Sequence, residues 1–193
     1  MKKFNLDPDN ILPPLKGRLL IASPFLEDPY FSRTIIILCD HNDEGSFGFV
    51  LNRYIELDLP DLLENLPETA GRISLGGPVE NNSLYYIHTL GDLIPESMHI
   101  GGNLYLGGDF GIISKGIENE TIDSSKVRFF VGYSGWSETQ LDDEIKERSW
   151  YVRNLNDLPV MDTVRDDLWN EALKGMGKPF ANLAHFPADP KMN

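Results

Sequence analysis

Between Val127 and Trp150 the chain reads VRFFVGYSGWSETQLDDEIKERSW, and few folds accommodate that order of residues. Val127, Phe129 and Val131 alternate with Arg128, Phe130 and Gly132, a β-branched and aromatic pattern that predicts a strand. Gly132 and Gly135 bracket Tyr133-Ser134, as expected where a chain turns sharply or lets another backbone approach closely. Ser137 with Gln140 three residues on reads as a capping box, and Trp136 with Leu141 as a hydrophobic staple. A helix is predicted from about Glu138 to about Ser149. Leu141 and Ile145 give it a narrow apolar stripe. Glu144–Arg148 and Asp142–Lys146 are acid-before-base pairs four apart, so its outer face reads as solvated.

With 193 residues, 41% of them hydrophobic, the chain is long enough for a full core. Its formal net charge is −13, from 17 basic and 30 acidic residues. Nucleic-acid binding draws most of its affinity from phosphate neutralisation, so direct contact with DNA or RNA is disfavoured. The single cysteine, Cys39, excludes an intramolecular disulfide and reads as a small buried hydrophobe. The first residues lack the apolar stretch of a secretory leader, and no run approaches a membrane span. The expected location is the cytoplasm, with no membrane contact.

Residues 1–16 read as a polar, proline-bearing arm, residues 17–180 as one domain and 181–193 as a tail. Gly17–Ala22 is a predicted strand. Thr34–Cys39 is continuously apolar, which predicts a central strand buried on both faces. Asp40–Gly45 is a polar turn and Ser46–Leu51 the returning hairpin strand. Asp61–Leu66 is a short helix. Ile73–Leu75, Leu84–His88 and Trp150–Val152 read as further strands, and the stretch from Ile100 to Leu106 is marked by the glycine pairs Gly101-Gly102 and Gly107-Gly108. Asp109 caps a predicted helix through Gly116, and Asp162 caps a last one carrying Val164, Leu168 and Ala172, ended by Gly175 or Gly177. The pattern predicts an α+β domain with a mixed, largely antiparallel sheet, curling toward a barrel and flanked by helices.

The assembled segments resemble the YqgE/AlgH family of bacterial proteins. Those that carry the resemblance are Gly17–Pro24, the Asp28-Pro29-Tyr30-Phe31 turn, Gly48–Arg53, Gly76–Val79, His88, and Gly132–Trp136 with Gln140, Leu141 and Glu144. It spans roughly residues 17–173. It implies an α+β domain and a cytosolic bacterial protein with no established activity, although some members carry a transcriptional-regulator label. The chain departs from the family pattern at Gly107-Gly108, where a Thr/Ser-rich segment is usual, and at Ser134, where alanine is usual. Ser134 is therefore not expected to be an obligatory catalytic group.

Gly132-Tyr133-Ser134-Gly135-Trp136 is a near miss to the G-x-S-x-G nucleophile elbow, with the second glycine displaced. A serine hydrolase using Ser134 with His88 or His185 is thus the alternative to a non-enzymatic protein. Asp40–Gly45 mimics half of a calcium loop, but Leu51 stands where a bidentate Glu is needed. The histidines lack zinc spacing, and neither glycine pair has the Lys-Ser/Thr of a phosphate loop. No metal, cofactor or catalytic set is expected. A small pocket is predicted from Asn52, Arg53, Gly76, Gly77, Pro78, His88, Ser134, Gly135 and Trp136. The chain reads as a regulatory protein that binds a partner protein or a small ligand.

Overall fold

The computed structural model describes residues 12–63, 66 and 71–184. Among these residues there are nine strands: β1 (Leu19–Ala22), β2 (Ile35–Asn42), β3 (Gly45–Val50), β4 (Ser74–Leu75), β5 (Val79–His88), β6 (Met98–Gly101), β7 (Leu104–Leu106), β8 (Val127–Ser137) and β9 (Trp150–Arg153). They form one sheet in the order β6-β7-β5-β8-β3-β2-β1-β9, with β4 beside β8. All pairings are antiparallel except β4 with β8. The helices are α1 (Leu59–Leu62), α2 (Phe110–Glu118), α3 (Gln140–Lys146), α4 (Leu168–Gly175) and α5 (Lys178–Leu183). The domain is α+β with a largely antiparallel sheet, as the residue pattern predicts.

β2 shows why the sheet is central. Ile35, Ile37 and Cys39 point into one core with Leu19, Ile21 and Phe49. Ile36 and Leu38 point into another with Leu20, Val50 and Trp136. Period-two alternation with both faces covered requires an unbroken apolar run. Leu168, Trp169, Leu173 and Phe180 of α4 and α5 pack into the first core. A third core holds Tyr86, Ile113, Ile117 and Phe129. Ile100 and Leu104 join Leu19 and Ile37 in the first core, so the β6 end folds back over β2. Gly17 makes that approach possible. At φ +81, a Cβ there would sit 2.7 Å from the Ile100 carbonyl oxygen. The sheet curls but does not close, because β6 and β9 terminate the order unpaired with each other.

The predicted glycine turn at 132–135 is instead continuous strand, since β8 runs through Ser137. Gly132, at φ +68, makes a bulge opposite the register shift between Val79 and Leu84. Before it, Arg128 and Phe130 face the first core. After it, Tyr133 packs against that same core. One residue in the left-handed region has exchanged the two faces. Gly76 and Gly77 serve close approach, because a Cβ on either would overlap a β8 carbonyl.

Other boundaries move for local reasons. Thr139 sits at φ +61 and delays α3 to Gln140, so Ser137 is not its N-cap. Half of the capping box survives: the Ser137 N–H donates to the Gln140 Oε1 at 3.0 Å. Lys146 pairs with Asp143, three residues back, at 2.8 Å. Asp109 does cap α2, accepting from the Gly111 N–H at 2.8 Å. Asp162 accepts from the Val164 N–H at 2.9 Å and pairs with Arg165 within a turn, so α4 starts at Leu168 and Val164 is 74% exposed. The predicted polar turn after Cys39 shrinks to Asp43-Glu44, because β2 extends to Asn42. α1 lies earlier than the predicted Asp61–Leu66 helix, and residues 64 and 65 fall outside the described residues. So do 1–11 of the predicted arm and 185–193 of the predicted tail, while α5 reaches Leu183.

Candidate functional site

A groove of about 580 Å³ opens across β2, β3, β8 and β5. Its floor follows from the register. Phe47 pairs with Gly135, and Val79 with Tyr133, so a missing side chain lies between aromatic neighbours. Phe47, Phe49, Tyr85 and Tyr133 form a closed circuit of rings. Centroids are 6.3 Å apart for Phe47–Phe49, 5.6 Å for Phe49–Tyr85, 5.7 Å for Tyr85–Tyr133 and 6.1 Å for Tyr133–Phe47. Asp40, Glu44 and Glu80 stand among the lining residues, which include no Lys or Arg. Glu80 is held at φ +48 and accepts a short hydrogen bond from the Tyr85 hydroxyl. Burial, with the Glu80 carboxylate beside it, pushes that hydroxyl up to about 12.

Of the nine residues predicted to share a pocket, Gly135 and Trp136 line this groove. Trp136 only borders it, being 6% exposed with its ring in the opposite core. Gly76, Gly77 and Ser134 lie behind, where the Ser134 hydroxyl donates to the Gly76 carbonyl at 2.9 Å. Pro78 is exposed and leads into the lining residue Val79. Asn52 and Arg53 are spent on the loop before β2. Asn52 accepts from the Ile35 N–H and donates to the Arg33 carbonyl, both at 2.8 Å, and Arg53 donates to the Ser32 carbonyl at 3.0 Å. His88 pairs with Val127, seven residues along β8 from Ser134, about 20 Å away at strand rise.

That separation removes the Ser134–His88 dyad, and His185 lies outside the described residues. Ser134 is fully buried, so its hydroxyl is a structural donor. Ser134→Ala should cost ~1 kcal/mol and no more, because Gly76 keeps its bond from the Val50 N–H. A urea melt measures this, and a loss several times larger would mean that the hydroxyl holds something else. His88 is equally occupied. Its Nε2 meets the Gly107 carbonyl at 3.0 Å, and its Nδ1 accepts from the Leu90 N–H at 3.3 Å. This fixes the neutral tautomer, and burial lowers its pKa below 6.5. The unfolded chain therefore binds the extra proton first as pH falls, and stability should drop from about pH 6.5 downward. His88→Gln should flatten that slope in melts between pH 5 and 7. An unchanged slope would assign it to another group.

Two hydrogen-bonded clusters escaped sequence reading. Glu144 does more than the i,i+4 spacing suggests. Its Oε2 accepts from the indoles of Trp136 at 2.9 Å and Trp150 at 2.8 Å, and its Oε1 accepts from Gln140 at 2.9 Å. Arg128 is 1% exposed and donates to the carbonyls of Leu51 and Val160 and to Ser74 Oγ. Burial draws its pKa down to about 10, which leaves it charged at neutral pH. His41 Nδ1 and Ser46 Oγ are 2.7 Å apart. They pair across the hairpin on the face of Trp136, away from Phe47 and Gly135. No carboxylate holds the other ring nitrogen among the described residues, so this is a cross-strand bond rather than a triad. Among those residues no group of three His, Cys, Asp or Glu is placed to hold a metal. Asp40 and Asn42 of the supposed calcium loop bond to each other at 3.0 Å. Cys39 is buried, and burial pushes its thiol far up, away from reactivity.

The described residues form an open-ended, curled α+β sheet with an aromatic groove on one face. The chain belongs to the AlgH-like family, whose model matches residues 19–181. It is 38% identical over 192 residues to a UPF0301 protein of Parabacteroides distasonis, covering 98% of this chain and 96% of that one. It is 36% identical to another from Cytophaga hutchinsonii, covering 92% and 98%. The solution structure of AlgH from Pseudomonas aeruginosa superposes with a TM-score of 0.70 at 25% identity, covering 93% of this chain and 99% of that one. No helix among the described residues is long and apolar enough to cross a membrane.

Proposed function

We propose that this chain is a non-enzymatic, cytoplasmic binding protein whose docking site is the groove between the β2–β3 hairpin, β8 and β5. The groove supports that reading because it joins aromatic surface to charged groups without a positioned nucleophile and base. A regulatory role then runs through a partner rather than through DNA, consistent with the net charge of −13. From the residues predicted at sequence level, Gly135 and Trp136 remain in the proposed site, and Gly76, Gly77, Pro78 and Ser134 support its floor. Asn52, Arg53 and His88 belong to structural networks elsewhere.

Gly135 offers the test. It lacks a positive φ, and a Cβ there meets nothing closer than 3.4 Å, so the backbone tolerates a side chain. Gly135→Trp should fill the groove, keep the fold and abolish capture of the native partner from a cell extract. Retained capture would remove the groove from the reading. The hydrolase alternative is tested by a fluorophosphonate probe, which should label neither Ser134 nor Ser46. Labelling lost in Ser46→Ala would make the His41–Ser46 pair an active site.

A further inference from the structure

We propose that the groove takes an extended basic peptide segment, reading its lysine or arginine side chains. The inference rests on the groove being the docking site and names what docks there. Three features of the lining converge on cationic side chains. The half-buried rings of Phe47, Tyr85 and Tyr133, backed by the buried Phe49, supply π-faces and edges at one place, and ring faces attract ammonium and guanidinium groups. Asp40, Glu44 and Glu80 supply negative charge around it, and none of the three forms an ion pair among the described residues. No lining residue supplies positive charge, so an acidic ligand would meet repulsion without compensation.

The placement of the carboxylates favours a segment over a single small cation. Asp40 lies on β2 and Glu80 on β5, three strand spacings apart across β3 and β8, or about 14 Å. Glu44 sits at the hairpin tip, roughly 10 Å along from Asp40. One ammonium reaches one of these groups at a time. An extended chain with cations on alternate residues spans them together. Glu80 is held for this work at φ +48, a conformation uncommon for a side-chain-bearing residue, on the bulged stretch of β5. Gly135 leaves the floor open between the rings, which gives a basic stem apolar surface to lie on.

The experiment is fluorescence anisotropy with three short fluorescein-labelled peptides of equal length, alternating alanine with lysine, glutamine or glutamate. The full chain should bind the lysine peptide alone, more weakly as salt rises. The combined variant Asp40→Asn, Glu44→Gln, Glu80→Gln should lose about tenfold in affinity, the sum of three exposed charge contacts. Gly135→Trp should abolish binding while circular dichroism stays that of the parent. Equal binding of all three peptides, or lysine-peptide binding unaffected by both variants, would overturn the proposal in favour of diffuse surface charge. So would absence of lysine-peptide binding, or displacement of the labelled lysine peptide by Nα-acetyl-lysine amide as readily as by the unlabelled peptide. The broader reading fails separately. If the charge-neutral variant captures the native partner as well as the parent does and Gly135→Trp does not, the groove stands and its basic ligand falls.

Discussion

Trp136→Ala should destabilise the protein by about 3–5 kcal/mol, a large part of a typical domain's stability. The ring is 6% exposed, stacks on Phe31 at 6.2 Å and meets Trp150 edge-on at 6.0 Å. Removing it opens a cavity between the sheet and α3 and strips Glu144 of one of its indole donors. Trp136→Phe separates the two effects, keeping most of the apolar volume and losing only the N–H. It should cost about 1.5–3 kcal/mol, the usual worth of a hydrogen bond to a charged acceptor. Urea titrations of both variants measure the ratio. If Trp136→Ala melts with the parent while partner binding is lost, the indole serves the groove rather than the core.

Arg128→Ala should be comparably severe, at about 3–5 kcal/mol. The guanidinium bridges three elements: the end of β3 at Leu51, β4 at Ser74 and the segment before α4 at Val160. Its removal takes the guanidinium donor from the Val160 carbonyl, at about 1–3 kcal/mol, weakens the Leu51 carbonyl that keeps only the Ser74 hydroxyl, and opens a buried cavity, partly offset by relief of the buried charge. Arg128→Lys should rescue little, because one ammonium cannot reproduce a planar fork aimed at separated carbonyls. Arg128→Met should fall between, since it restores volume and deletes the charge. Equal melting temperatures for the lysine variant and the parent would mean that charge rather than geometry is what this site needs.

The strands and the α+β class were legible because they rest on local chemistry. Ile35–Cys39 could only be a strand covered on both sides, and Asp109 could only be a cap. β8 was half legible. Its first residues alternate cleanly, but Gly-Tyr-Ser-Gly reads as a turn unless the partner strands are known. What keeps it extended is pairing with β3 and β5, which are distant in sequence. The same limit hid the groove. Phe47, Tyr85 and Tyr133 are unremarkable in their own segments and meet only through register. Arg128 was legible only as one residue of an alternating strand, because nothing near it in sequence announces three acceptors on other elements. Signals for the groove did exist: Gly48 between two phenylalanines, and Gly135 inside a strand, where a missing side chain implies close approach or open space.

The bulged strand β8 also governs when the groove can exist. β2 and β3 form a local hairpin, and β6 with β7 another, so both can pair soon after they are made. β8 joins β3 to β5 across long stretches of chain, and such non-local pairing is slow to form. During synthesis, residues 127–137 emerge after every strand but β9. Until they dock, Tyr133 and Gly135 are absent from the floor and the aromatic circuit is incomplete. A nascent or truncated chain that lacks this strand therefore presents no groove, because two of the surfaces that frame it have not yet been joined.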